Sequence, residues 1–462
     1  MPRKAVAIYF ILALIGAALF IFFTFPRTAS EIPTSNNQRP FPSGPGPGNV
    51  PVPETQPHPS TPGTPHGPSL RVMAWASPAE AQALGARLDN YAAQTGQVAS
   101  LTLVNDEATY LHDLPEALAS DTPPDVCLVD ARDFSGADPV RDFAAVTPDR
   151  AAAARSIAAF TVSGTVKALP DEFSVDLLYY SPADFDRAGI AAPGPHWNWD
   201  VLEAISRAIA SLKLTNAQGA PIYALELPAD FDFWNMLCTQ AGQPALDVGT
   251  WHLGDADSKD AELRSLDFIH TFFQGLSVTA PPPREGLAPG RYFSAQQAAM
   301  LIGPSDLTAS LPNFGYRVTN VPRDMCSASL AHVNGWAVAA NSNQADAAQK
   351  LAAFLSTQPV HAGWSAVRAG DAVDGFTAIC QSALSESVIP RISAKDEPMA
   401  QFLNAQIAQL ARQPDGDSGQ YYTRIQAQYQ SGLAPQPVEG SMPKAAEKLK
   451  QRTAPSGEAR DM

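Results

Sequence analysis

Ala168-Leu-Pro-Asp-Glu-Phe-Ser-Val-Asp-Leu-Leu-Tyr-Tyr-Ser-Pro-Ala-Asp-Phe-Asp-Arg-Ala-Gly-Ile190 reads as a strand that ends on the adjacent tyrosines Tyr179 and Tyr180 and hands over to a helix. Three residues write the handover. Ser181 offers a side-chain acceptor to the first orphan amides, Pro182 carries the φ of a first helical position, and Asp184 puts a negative charge in the first turn, where the peptide dipoles favour it.

The same alternation extends outward in both directions. Upstream, Arg71 to Trp75 opens as a strand, Leu84, Leu88 and Tyr91 mark one helical face, Leu101 and Leu103 alternate as a strand, and Val126-Cys-Leu-Val129 reads as a buried strand. Downstream, Leu202, Ile205, Ile209 and Leu212 fall on one helical stripe, with Asn198 as its cap and Asp200 in its first turn. Leu263, Leu266 and Ile269 start another stripe, Ala347, Leu351, Phe354 and Leu355 line a third, and Phe402, Ile407 and Leu410 belong to a helix near the end. Short strands alternating with amphipathic helices are the pattern of parallel βαβ units, so the fold class is α/β.

Ahead of this region, Ala5 to Phe25 runs twenty-one residues without a charge behind Arg3 and Lys4. As a helix it would cover roughly 30 Å, the thickness of a bilayer's hydrocarbon core, and the leading positive charges favour a cytoplasmic N-terminus. Residues 1–30 are therefore expected to be an uncleaved membrane anchor that leaves everything after Phe25 exported. A cleaved signal peptide is the rival reading; it suffers from the long apolar stretch and from Arg27, which stands where a small side chain belongs. Residues 31–69 follow with twelve prolines and five glycines between Glu31 and Ser69. Such a composition suits an extended, solvated tether.

The chain has 462 residues, of which 45% are hydrophobic, enough for two domains or one bilobal body after the tether. Its formal net charge of −15 argues against a nucleic-acid partner, which would need clustered Lys and Arg. The four cysteines Cys127, Cys238, Cys326 and Cys380 have no zinc-site spacing, and they permit three complete disulfide pairings in an oxidising compartment. Cys127 in its buried strand reads as an inert core thiol, and a Cys326–Cys380 bridge stays open. Enzyme signatures fail: no H-E-x-x-H, G-x-S-x-G or P-loop pattern occurs, and Gly363-Trp-Ser-Ala-Val367 misses the nucleophile elbow at its last position.

The stretch from Ala168 to Ile190 resembles the central signature of the family 1 extracellular solute-binding proteins, the substrate receptors of ABC importers, to which maltose-binding protein belongs. Further pieces agree in order: Pro124-Asp-Val-Cys-Leu-Val-Asp130, Trp197-Asn-Trp-Asp-Val-Leu-Glu203, Phe293 to Met300 followed by Gly303-Pro304, and Asn334-Gly-Trp-Ala-Val-Ala-Ala-Asn-Ser342. The resemblance implies a type II-like periplasmic-binding-protein fold over residues 70–452. Its two α/β lobes would span about 70–171 with 334–385 and about 172–333 with 386–452, with residues 453–462 as a disordered tail. Crossovers are expected near Pro170 to Ser174, Asn334 and Ser385, with a ligand in the cleft between lobes.

The ligand-binding residues implied in this way are Trp75, Asp130, Glu172, Ser174, Trp234, Ser305 and Trp336. Trp75 closes the first strand, where the family often presents a binding side chain; capping the core is its other reading. Asp130 stands at the carboxyl end of the third strand, the edge at which open α/β sheets hold ligands, or else caps the next loop. Glu172 and Ser174 occupy the first crossover, Trp234 lies in Asp232-Phe-Trp-Asn-Met-Leu237, which resembles the aromatic segment opening a cleft-lining helix, and Trp336 stands beside the second crossover. Ser305 and Asp306 replace a tryptophan that several sugar-binding relatives carry after Gly303-Pro304, which weakens a maltodextrin-like specificity. The paired tyrosines Tyr179 and Tyr180 resemble ferric ligands of some importers' receptors but also simply end the strand.

The function expected from these observations is an extracytoplasmic receptor of an ABC importer that binds a small solute, a carbohydrate or polyol-like molecule, without covalent chemistry, metal or cofactor. Its partners would be that solute, ABC permease subunits and the inner membrane through the N-terminal helix. A membrane-tethered ligand sensor, a ferric- or polyamine-type receptor and a carbohydrate-active enzyme are the alternatives.

Overall fold

Ala168–Tyr180 forms one unbroken thirteen-residue strand in the computed structural model, and every residue of it is buried. At about 3.3 Å per residue it is roughly 40 Å long, enough to serve two cores in turn. The structure describes residues 68–132, 142–148, 154–194, 197–247, 249–275, 278–282, 289–367, 375–392 and 396–432. The expected anchor at 1–30, all but the end of the tether and the tail at 453–462 lie outside them. Among the described residues, no helix is long and apolar enough to cross a membrane.

In chain order the strands are β1 (Leu70–Trp75), β2 (Ala99–Val104), β3 (Val126–Asp130), β4 (Thr161–Val162), β5 (Thr165–Val166), the long β6 (Ala168–Tyr180), β7 (Tyr223–Glu226), β8 (Leu246–Asp247), β9 (Thr250–Trp251), β10 (Ala298–Pro304), β11 (Arg317–Asn320), β12 (Ser329–Val338), β13 (Ser365–Ala366) and β14 (Ser387–Val388). The helices are α1 (Pro78–Thr95), α2 (Glu107–Ala119), α3 (Ala154–Ala159), α4 (Pro182–Ala188), α5 (Trp199–Ser211), α6 (Phe231–Gln240), α7 (Lys259–His270), α8 (Arg291–Ser294), α9 (Ala345–Leu355), α10 (Gly375–Ser385), α11 (Glu397–Arg412) and α12 (Ser418–Ser431).

The main sheet runs β2-β1-β3-β12-β6-β10-β7. Strands β1, β2 and β3 are parallel, the βαβ pattern that the sequence periodicity predicts, whereas β12 joins β3 and β6 antiparallel. The first half of β6 pairs with β12, and from Asp176 onward it pairs with β10. A register shift between Asn334 and Gly335 bends β12 at the middle of this seam. Gly335 is required there, because an added Cβ would stand 2.7 Å from the Leu169 carbonyl oxygen and 2.9 Å from the Phe160 ring.

Two hydrophobic clusters divide the interior. One gathers Val72, Leu84, Tyr110, Leu128, Phe173, Trp336, Leu351 and Leu384; the other gathers Leu202, Leu225, Phe231, Trp234, Leu266, Met300, Leu403 and Ile425. Past Asp176 the two faces of β6 sort between them: Leu177 and Tyr179 join the first cluster, Leu178 and Tyr180 the second. That split is the period of two of a strand. Phe293, Leu301, Leu307 and Leu311 also pack with the first cluster.

Local signals written in the sequence recur in the helices. The Ser181 hydroxyl accepts the Asp184 amide at 3.3 Å with Pro182 at the first helical position, and the Asn198 side chain accepts the Val201 amide at 2.9 Å. Leu84, Leu88 and Tyr91 all face inward. Leu212 departs from its expected stripe: α5 ends at Ser211, and Leu212 is a 46% exposed cap residue. Cys127, Cys238, Cys326 and Cys380 are all thiols; only Cys326 is exposed, so the disulfide left open between Cys326 and Cys380 does not form.

Candidate functional site

A cavity of about 340 Å³ opens beside the middle of β6, bordered by Leu301 of the first cluster and by Leu227, Ile302 and Leu330 of the second. Its polar wall is Ser174 and Asp176 from β6, Glu226 from β7, Asp230 and Asp232 at the start of α6, Asp306 behind β10, His332 from β12, and Trp364 beside β13. Alternation along β6 puts Ser174 and Asp176 on the same face. Helix α6 begins at this wall because Asp230 caps it, accepting the Phe233 amide at 2.9 Å, while Asp232 sits in the first turn, where the helix dipole favours a carboxylate.

Five carboxylates border the cavity, and among the described residues no lysine or arginine lines it. They differ in their partners. Glu226 accepts the Phe293 amide at 2.8 Å at the start of α8, and Asp306 accepts the Ser174 hydroxyl at 2.5 Å. Arg132, following β3, pairs with Asp232, whose Oδ1 has no hydrogen-bond partner. Asp176 is 3% exposed, and its Oδ2 has no hydrogen-bond partner among the described residues.

The charges follow from these surroundings. Burial pushes the Asp176 carboxyl well above the usual carboxylate range, and the carboxylates of Asp230, Asp306 and Asp232 push it the same way. Asp230 is exposed to the cavity, yet the enclosing walls, with Asp232 beside it, raise it to about 6. Burial lifts Glu226 as well, against the opposing pull of four backbone amides, and burial lowers His332, which leaves that ring neutral. Among the described residues, no group of His, Cys, Asp or Glu is arranged to hold a metal ion.

Of the seven residues expected from sequence, only Ser174 lines this cavity. Ser305 lies just behind it, its hydroxyl 3.3 Å from that of Ser174 and accepting the Val175 amide at 3.2 Å. Asp130 caps its own loop, accepting the Arg132 amide at 2.5 Å. Trp234 is wholly buried in the second cluster, and Trp336 in the first, where its indole N–H donates to Asp171 at 2.9 Å. Trp75 packs on Tyr110 with ring centroids 4.9 Å apart and on His361 at 5.4 Å.

Glu172 is likewise internal. Its Oε1 accepts the Asn334 amide at 2.9 Å and pairs with His361 Nδ1, and its Oε2 accepts the amides of Val360 at 2.6 Å and His361 at 3.0 Å. Burial opposes charge on His361, but the hydrogen bond and charge of Glu172 prevail and raise its pKa. The His361 ring lies 5.7 Å from that of Trp364, so Trp75 and Glu172 support the cavity wall from behind. The paired tyrosines are structural: Tyr179 donates its hydroxyl to the Pro304 carbonyl at 2.7 Å, and Tyr180 packs on Phe185.

Sequence reasoning missed Asp176, Asp230, Asp232, His332 and Trp364. A signal existed for the first, since Ser174 and Asp176 alternate with apolar Phe173, Val175 and Leu177, and for the next two, which lead into the aromatic segment containing Trp234. Trp364 stands in the very stretch dismissed as a failed nucleophile elbow. Gly363 before it, at φ +82°, passes so close to Asp306 that an added Cβ would lie 2.5 Å from the Asp306 carbonyl oxygen.

A two-cluster α/β fold threaded by β6 and β12, with a polar cavity beside the shared strand, has the layout of a small-molecule binding site. The chain belongs to the bacterial extracellular solute-binding protein family, whose profile matches residues 77–362. Membership makes it a binding protein and places its folded part outside the cytoplasm. No curated protein has a significantly similar sequence. Solved structures with the same fold include the sugar-binding protein MalE of Xanthomonas citri (15% identity, TM-score 0.65, 83% of this chain and 100% of that one). An ABC substrate-binding protein of Listeria monocytogenes in complex with cycloalternan is similar over 79% of this chain and 98% of its own (16% identity, TM-score 0.63). UgpB of Mycobacterium tuberculosis, in complex with glycerophosphocholine, matches over 80% and 99% (16% identity, TM-score 0.62).

Proposed function

We propose that this chain is the solute receptor of an ABC importer and that it holds a carbohydrate-class solute in the cavity beside β6. The observation that carries the reading is the cavity itself: about 340 Å³, within the range of roughly 300–1,000 Å³ of small-molecule sites, with convergent polar groups and one half-buried indole in its wall. Aspartates and Ser174 accept and donate to hydroxyls, and Trp364 offers a ring to the C–H face of a sugar. The Xanthomonas sugar-binding protein and the Listeria protein in complex with cycloalternan, which share this fold, agree with that chemistry.

The two lobes are residues 70–171 with 334–385 and 172–333 with 386–452, a division supported by the separate hydrophobic clusters and by the bend of β12 at Asn334 and Gly335. Closure of one lobe on the other would bury both faces of the solute and present a joint surface to permease subunits. The uncharged stretch from Ala5 to Phe25 anchors the receptor in the inner membrane, and the proline-rich tract after it gives the receptor reach.

A thermal-shift panel of sugars, polyols, amino acids, polyamines and ferric complexes on the purified full-length protein tests the reading. A bound carbohydrate at about a hundred times its Kd stabilises the fold by about 2.7 kcal/mol and raises Tm accordingly. Silence across the sugars and polyols, or chemical turnover of a hit, defeats it.

A further inference from the structure

A neutral sugar can satisfy a buried, unpartnered carboxyl oxygen with a hydroxyl, but it brings no positive charge to a place where further carboxylates cluster around such a group. Asp176 is such a group. Its Oδ2 is buried and unpartnered, it lines the cavity, and the charged groups around it are Asp230 and Asp232 of α6, Asp306 behind β10 and Glu226 of β7. The neighbouring cations do not answer it: Arg132 is engaged with Asp232, and burial keeps His332 neutral. Asp171 also leaves an oxygen unpartnered, yet it does not line the cavity and its other oxygen holds Trp336.

Resting on the receptor reading above, we infer that the solute carries a protonated amine beside its hydroxyls, as an amino sugar does, and that the amine seats against Asp176 with Asp230 and Asp232 nearby. An ammonium supplies up to three donors and a positive charge to a place where five carboxyl groups converge. In the empty cavity burial and the surrounding carboxylates favour the protonated form of Asp176. Binding an ammonium favours the carboxylate, so that proton passes to solvent while the amine keeps its own. Affinity therefore rises with pH until the amine itself deprotonates.

Isothermal titration calorimetry on the purified full-length protein tests this with glucosamine and galactosamine, their N-acetyl and neutral parent sugars, and spermidine as an amine without a sugar. The expected result is an amino sugar bound at least tenfold more tightly than its acetylated and neutral counterparts, with proton release that shows as a dependence of the heat on buffer. Asp176→Asn should erase most of that preference. Asp230→Asn keeps the helix cap and should reduce it severalfold, so it decides the matter together with the buffer-dependent proton release if Asp176→Asn fails to fold. Acetylated or neutral sugars binding as tightly would overturn the amine while leaving the carbohydrate reading intact. Spermidine binding alone would keep the cation and remove the carbohydrate, and no binding by any probe would overturn both.

Discussion

Glu172 and Asp176 are four residues apart on β6, both buried, and they meet opposite surroundings. Glu172 is held from three directions, by the Asn334 amide of β12 and by the backbone of Val360 and His361 together with the His361 ring. Asp176 has carboxylates for neighbours and an oxygen without a donor. A buried charge that is fully partnered fixes a fold, whereas an unanswered one raises its own pKa and waits for a partner from outside. The contrast separates architecture from site within a single strand.

The largest test of that contrast is Glu172→Ala. It strands the Asn334 side chain, two amides and His361, and should cost about 3–5 kcal/mol in urea unfolding; a loss below about 1 kcal/mol would break the comparison. The loss should also depend on pH. The raised folded pKa of His361 makes its pairing fully stabilising below about 6.5, and the contribution is lost as pH rises through the folded value, so the variant costs more at pH 6 than at pH 9.

Trp336→Phe comes next. It keeps the buried ring but removes the N–H given to Asp171, so stability should fall by about 1–3 kcal/mol while solute affinity, followed by calorimetry, stays the same. A changed affinity at constant stability would return Trp336 to the site.

Asp176→Asn should act in the other direction. Because the folded pKa is raised, the unfolded chain gives up this proton near pH 4 while the folded protein keeps it, and stability falls as pH climbs through that window. Asparagine removes this penalty, so the variant should be more stable than the parent at pH 7 and no more stable at pH 3, read as Tm at the two pH values. The smallest effect on folding belongs to Trp364→Ala, expected within about 0.5 kcal/mol because the ring is only half-buried; its Kd for the solute should nevertheless rise severalfold through lost stacking.

Much of the scaffold was legible because its rules are local. The Ser181 and Asn198 caps act within three residues, the Leu84–Leu88–Tyr91 face follows from helical period, and an all-apolar run such as Val126–Val129 has nowhere to go but inside. Leu212 shows the limit, since a stripe gives no measure of where the last turn stops. The candidate site was less legible. Large aromatic residues near strand ends drew attention, but whether an indole faces a core or a cavity depends on elements far away in sequence: Trp336 turns to Asp171 inside the first cluster, while Trp364 stays open to the cavity.

Sequence alone determined the α/β alternation, the exported and acidic character of the chain and its family, because periodicity, composition and ordered motifs are properties of neighbours along the chain. Only the tertiary structure decided which carboxylates are answered. Partners for Glu172 arrive from residues 334 to 361, and the neighbours that oppose Asp176 from residues 230 to 306, so their distances are set by how β6, α6, β10 and β12 pack and by nothing local to the strand.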